Sequence, residues 1–127
     1  QQLLQKMSKK KISINKANIL LMGLTFKENC PDTRNSRSID VYNELLKYNS
    51  KIDVYDPWVN KKEYYDEHRI NLINLPKKNY YDAIIILVSH KIFKDMPIKK
   101  IKSFGKKNFV IYDAKYIFDK SLVDGRL

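Results

Sequence analysis

Two apolar runs constrain this chain more than any other feature: AIIILV at 83–88 and ANILLMG at 17–23. Nearly continuous apolar character is the mark of a strand buried on both faces of a parallel sheet, rather than of a half-solvated antiparallel strand. A sheet buried on both faces needs helices on both faces. The segments between the runs supply them. Residues 36–48 carry Ile39, Tyr42, Leu45 and Leu46 on one helical face, with Asn35 or Ser36 as the predicted N-cap. KIDVYD at 51–56 reads as a strand stopped by Pro57, and 60–68 as a short helical piece. INLI at 70–73 reads as a weak strand, and FVIYD at 109–113 as a stronger one. The stretch after Ser89 reads as helical up to an interruption at Pro97.

This alternation predicts an α/β fold. The expected form is a Rossmann-like three-layer α/β/α sandwich with a mostly parallel sheet of five to six strands, the strand at 17–23 lying centrally. With 127 residues the chain holds one domain. Residues 1–11 are polar and basic, with Leu3, Leu4 and Met7 one turn apart, and read as the end of a helix entering from upstream. The predicted division is a helix end and linker over 1–13, then a domain over 14–127.

The formal net charge is +11, and 21 of the 25 basic residues are lysine. A lysine surface accounts for most of that charge, and no nucleic-acid-binding signature accompanies it, so no nucleic-acid partner is expected. No apolar run approaches the roughly 20 residues that span a bilayer, so no membrane partner is expected either. Cys30 is the only cysteine, which excludes an internal disulfide and fits a reducing cytoplasm. His68 and His90 lie far apart with no second cysteine nearby, so no metal site is expected.

In an open α/β sheet, ligands bind beyond the carboxyl ends of the strands, where the strand order reverses. That rule selects Gly23-Leu24-Thr25-Phe26-Lys27, Asp56-Pro57, Ser89-His90 and Asp113-Ala114-Lys115. Lys27 and Lys115 then face one crevice, where two ammonium groups suit a phosphate or diphosphate. No G-x-G-x-x-G follows the first strand, so the usual dinucleotide fingerprint is missing. Asp56, with Pro57 and Trp58, is expected to make a strand-ending turn rather than bind a ribose. The loop KENCPDTRNS at 27–36 opens a helix and brings Arg34 and Arg37 near a possible anion. Cys30 in that loop has no base or orienting group beside it, so no catalytic residue is assigned to this chain.

GLTFKENCPDTRNS (23–36), IDVYNELLKY, VYDPW (54–58), ILVSHKIF (86–93), VIYDAKYIF (110–118) and VDGRL (123–127) together resemble the UDP-glucose/GDP-mannose dehydrogenase family. The subgroup most resembled oxidises UDP-N-acetylhexosamines for capsular, Vi-type or O-antigen polysaccharides. The resemblance runs from about residue 14 to the end, and implies the carboxy-terminal UDP-binding domain of an NAD-dependent enzyme. It places Phe26 and Lys27 on the sugar nucleotide, with Lys115 where many members carry arginine, and Arg34 on the NAD phosphates. Lysine at 115 keeps the charge without the bidentate fork. The resemblance further implies a two-step oxidation, through a thioester, of the C6 alcohol of a UDP-hexose or UDP-N-acetylhexosamine to a carboxylate. The nucleophilic cysteine and the NAD domain have no counterpart in these 127 residues, so the chain alone is expected to be inactive. The whole enzyme is expected to be a homodimer or larger and the isolated domain a monomer. The alternative reading is a free-standing nucleotide-binding regulatory domain.

Overall fold

The computed structural model describes residues 2–25, 27–33 and 36–126. Helix α1 (Gln2–Lys9) leads into strand β1 (Asn18–Met22), helix α2 (Ser38–Leu46), strand β2 (Lys51–Tyr55) and helix α3 (Lys61–His68). Strand β3 (Tyr81–Ile86), helices α4 (Lys91–Asp95) and α5 (Ile98–Lys102), and strand β4 (Gly105–Asp113) follow. A 3-10 turn (Lys120–Leu122) and the short strand β5 (Gly125–Arg126) complete the chain. All pairings are parallel, in the order β2-β1-β3-β4-β5.

The two apolar runs become β1 and β3, paired in register from Ile19 with Ala83 to Met22 with Ile86. Their residues alternate between two cores. Ile19, Leu21, Ala83, Ile85, Val110 and Tyr112 join one cluster, which also takes Met7 of α1, Leu45 of α2 and Tyr64 of α3. Leu20, Met22, Ile84, Ile86 and Ile111 join the other, with Phe93 of α4 and Ile101 of α5. This is why the runs are unbroken: every apolar residue of these strands lies in one of the two cores beneath a helical layer. Fully burying such a side chain stabilises the fold by about 1.5–3 kcal/mol.

Three sequence expectations need correction. The middle position belongs to β3 rather than β1, because β4 and β5 both add on its far side. INLI contributes only a single bridge, Val54 with Leu72, beside β2. There the chain is crossing the sheet edge: Ile70 and Leu72 pack into the first core and Ile73 against the second. At the start of α2 the cap position falls on Arg37, which makes no side-chain cap bond, while Ser36 Oγ accepts from the Ser38 N–H at 3.1 Å. Asn35, the other expected cap, lies outside the described residues. The break at Pro97 appears as expected, with Pro97 preceding α5.

The expected helix at the start is present. Helix α1 packs on β4 and β5, burying Met7. Lys10, just beyond it, donates to the Phe109 carbonyl at 2.7 Å and pairs with Asp124 at 2.8 Å.

Candidate functional site

Strand order reverses between β1 and β3: the chain moves outward from β1 to β2, then from β3 to β4 and β5 in the opposite direction. The crevice selected by the strand-end rule therefore lies at their carboxyl ends. Gly23 sits at that point with φ +108. A Cβ there would fall 2.6 Å from the Val88 Cβ and 2.9 Å from its backbone nitrogen, so only glycine lets the two strand ends approach. The Leu87 N–H donates to the Met22 carbonyl and the Gly23 N–H to the Tyr55 carbonyl. The end of β1 is thus bonded to both of its neighbours.

Directly beyond lies a buried polar cluster. Asp56, at the end of β2, accepts from the Leu24 N–H at 2.7 Å through Oδ2 and from the Trp58 N–H at 2.9 Å through Oδ1. Its Oδ2 also lies 3.0 Å from Nε2 of His90, and neither side chain is exposed to solvent. Nδ1 of His90 accepts from the Asn29 N–H at 2.8 Å. A ring nitrogen that accepts carries no proton, so the bonding pattern selects the tautomer with hydrogen on Nε2. That hydrogen faces both Asp56 Oδ2 and Thr25 Oγ1, the latter at 3.2 Å. The Thr25 hydroxyl in turn donates to the Lys27 carbonyl at 2.9 Å. Asn29 takes a left-handed conformation, φ 54, and its side-chain oxygen accepts from the Lys91 N–H at 2.9 Å.

Phe93 packs edge-on against the His90 ring, at 5.3 Å between centroids, and the half-exposed Trp58 lies 6.1 Å away. Burial, and then the Asp56 carboxylate, raise the phenol of Tyr55 above its ordinary value. Among the described residues, no buried side-chain polar atom lacks a partner. The groups of the cluster hold backbone turns on the outside and one another, through His90 Nε2, within.

A second turn is fixed in the same manner two strands away. The buried Asp113, at the end of β4, accepts from the Lys115 N–H at 3.1 Å and the Phe118 N–H at 2.8 Å. Of the two lysines singled out in the sequence, Lys27 stands exposed on a turn held by Thr25 and His90, and Lys115 stands exposed on the turn held by Asp113. They lie beyond strands β1 and β4, which flank β3 and so are about 10 Å apart. Phe26 and Arg34 lie outside the described residues. Cys30 is a partly exposed free thiol. Among the described residues, no cluster of metal-ligating side chains occurs.

The expected turn at Asp56 is present, but sequence reasoning missed its partnership with His90. The available signal was positional: Asp56 and His90 each follow an apolar strand at the edge where the order reverses. Only the fold brings them together, 34 residues apart.

The profile described as UDP-glucose/GDP-mannose dehydrogenase family, UDP binding domain, matches residues 20–120. The chain belongs to this family. It is 44% identical over 126 residues to UDP-N-acetyl-D-glucosamine 6-dehydrogenase of Pseudomonas aeruginosa, covering 99% of this chain and 30% of the relative. It is 46% identical over 127 residues to the Salmonella typhi protein of the same name, covering 100% of this chain and again 30% of the relative. The chain thus spans under a third of the length of these relatives. Its fold matches UDP-D-ManNAc dehydrogenase of Pyrococcus horikoshii with a TM-score of 0.76 at 23% identity, over 93% of this chain and 26% of that one. No helix among the described residues is long and apolar enough to cross a membrane.

Proposed function

We propose that this chain is the carboxy-terminal UDP-sugar-binding domain of an NAD-dependent nucleotide-sugar 6-dehydrogenase. The substrate class is a UDP-N-acetylhexosamine, oxidised at C6 to the uronic acid for surface polysaccharide. The observation that carries this reading is the pair of lysine-bearing turns, at Lys27 and Lys115, anchored on one carboxyl edge of a UDP-binding-domain fold. Phosphate oxygens there would meet ammonium groups whose backbone turns are fixed, which limits the ordering cost of binding.

Among the described residues, the amides that follow the first strand are not arranged as in a dinucleotide site. In that kind of site free amides after the first strand approach the pyrophosphate. Here the amides of Gly23, Leu24 and Asn29 are taken by Tyr55, Asp56 and His90. In this reading NAD is held mainly by another part of the enzyme, with Arg34 reaching its phosphates, and the UDP portion is held by Phe26, Lys27 and Lys115.

A charge-assisted hydrogen bond to phosphate contributes about 1.5–3 kcal/mol, so Lys27→Ala should weaken UDP binding about ten- to a hundredfold. Calorimetric titration of the full-length enzyme with UDP and with NAD reads both effects. UDP should weaken and NAD should not. Equal UDP affinity for wild type and Lys27→Ala would overturn the site.

A further inference from the structure

The turn that carries Lys27 is fastened at both ends to one side chain from the loop that follows β3. At one end, His90 Nε2 reaches Thr25 Oγ1, whose hydroxyl donates to the Lys27 carbonyl. At the other end, Nδ1 takes the Asn29 N–H. His90 is itself fixed from below by Asp56, which also holds Leu24. Asn29 is tied a second time, to the first amide of α4, through Lys91. The imidazole is fully buried, so it touches no ligand.

We infer that His90 is the positioning residue of the nucleotide site: its two ring nitrogens clamp the 25–29 turn so that Lys27 meets the diphosphate in one place. This rests on the functional reading above. The clamp spans the switch point, because His90 follows β3 while the turn follows β1. It works only in the Nε2–H tautomer, since Nδ1 must accept. Asp56 enforces that tautomer by offering an acceptor to Nε2.

Two substitutions separate the two halves of the clamp. His90→Asn places an amide oxygen near the Nδ1 position and can still accept from Asn29. His90→Gln places its amide near the Nε2 position, keeps a donor toward Asp56, and leaves the Asn29 N–H without an acceptor. Calorimetry on the full-length enzyme should show UDP affinity falling about tenfold for His90→Gln, with NAD affinity unchanged and His90→Asn recovering most of the loss. On the 127-residue chain, nitrogen-15 NMR should show the His90 ring with hydrogen on Nε2, and hydrogen exchange should show a protected Asn29 amide. That protection should vanish in His90→Gln and persist in His90→Asn.

If wild type binds UDP and His90→Gln binds it equally well, the inference falls while the functional reading stands. If wild type binds no UDP, both fall. A rapidly exchanging Asn29 amide or an Nδ1–H tautomer in wild type overturns the inference without any variant. That keeps it testable even if His90→Gln fails to fold.

Discussion

The two edges of the sheet use polar residues in opposite ways. At the carboxyl edge, Thr25, Asp56, His90 and Asp113 are buried, and nearly all their bonds go to the backbone of turns. At the amino edge, polar side chains sit partly in water and fasten strand ends. Asp82 accepts from the Asn18 N–H at 2.9 Å and pairs with the half-exposed Lys106 at 3.1 Å. Two residues there are buried instead: Ser50, whose hydroxyl donates to the Ile14 carbonyl at 3.1 Å, and Tyr81, whose phenol donates to Asp53 at 2.6 Å. A buried polar group is costly to leave unpaired, whereas a wet one falls back on solvent. The carboxyl edge therefore holds its turns in single positions, as the proposed binding site requires, and the amino edge has no such demand.

The largest expected effect breaks the comparison at its strong end. Asp56→Ala removes the acceptor for Leu24, Trp58 and His90 together, and the Asp56 and His90 side chains are closed to water. Breaking such a network costs about 3–5 kcal/mol. Urea unfolding of the 127-residue chain measures it. A loss below about 1 kcal/mol would show that these turns find other partners, and that the two edges are energetically alike.

How much of this was legible in the sequence follows the same division. The unbroken runs at 17–23 and 83–88 revealed a sheet buried on both faces, because burial is written in composition. The strand-end rule led to Gly23, Asp56, His90 and Asp113, because topology fixes which ends share an edge. The pairing of Asp56 with His90 was not legible. It depends on two side chains from different strands meeting across the switch point, and nothing local in VYDPW or VSHKIF encodes that distance. INLI misled because Ile70 and Leu72 on one side of an edge crossing and Ile73 on the other imitate a strand. The roles of Phe26 and Arg34 rest on the family resemblance alone.

A smaller effect tests the buried phenol at the amino edge. Burial, and then the hydrogen bond to Asp53, raise the Tyr81 phenol above its ordinary value. Burial likewise raises Tyr64, to about 12. A raised value means that the folded state keeps the proton longer than the unfolded chain. The stability from these phenols is complete below about pH 10, where the unfolded chain begins to lose its tyrosine protons, and declines as pH rises through the folded values. Unfolding measured from pH 9 to 12 should show wild type losing on the order of 1–2 kcal/mol from such a group. Tyr81→Phe should begin less stable and decline less steeply. Equal slopes for the two would mean that Tyr81 titrates freely and belongs with the wet groups around it.

The smallest effect is expected at Lys106. Its side chain is 45% exposed, and its ammonium approaches both oxygens of Asp82, at 3.1 and 3.2 Å. The ion pair looks well made, yet its exposed cation gives up little by returning to water. Holding a long side chain in place also costs entropy, so exposed pairs of this kind contribute about 0.2–1 kcal/mol. Asp82 is different: its side chain is only 17% exposed and it also accepts from the Asn18 N–H at the start of β1. Lys106→Ala should therefore cost at most about 0.5 kcal/mol, and that cost should shrink in high salt. Asp82→Ala should cost about 1–2 kcal/mol with little salt dependence, since it leaves a partly buried amide without its acceptor. The double mutant should match Asp82→Ala alone, because removing the acceptor removes the lysine's partner as well. A Lys106→Ala loss as large as that of Asp82→Ala would mean that the amino edge, like the carboxyl edge, depends on charge held away from water.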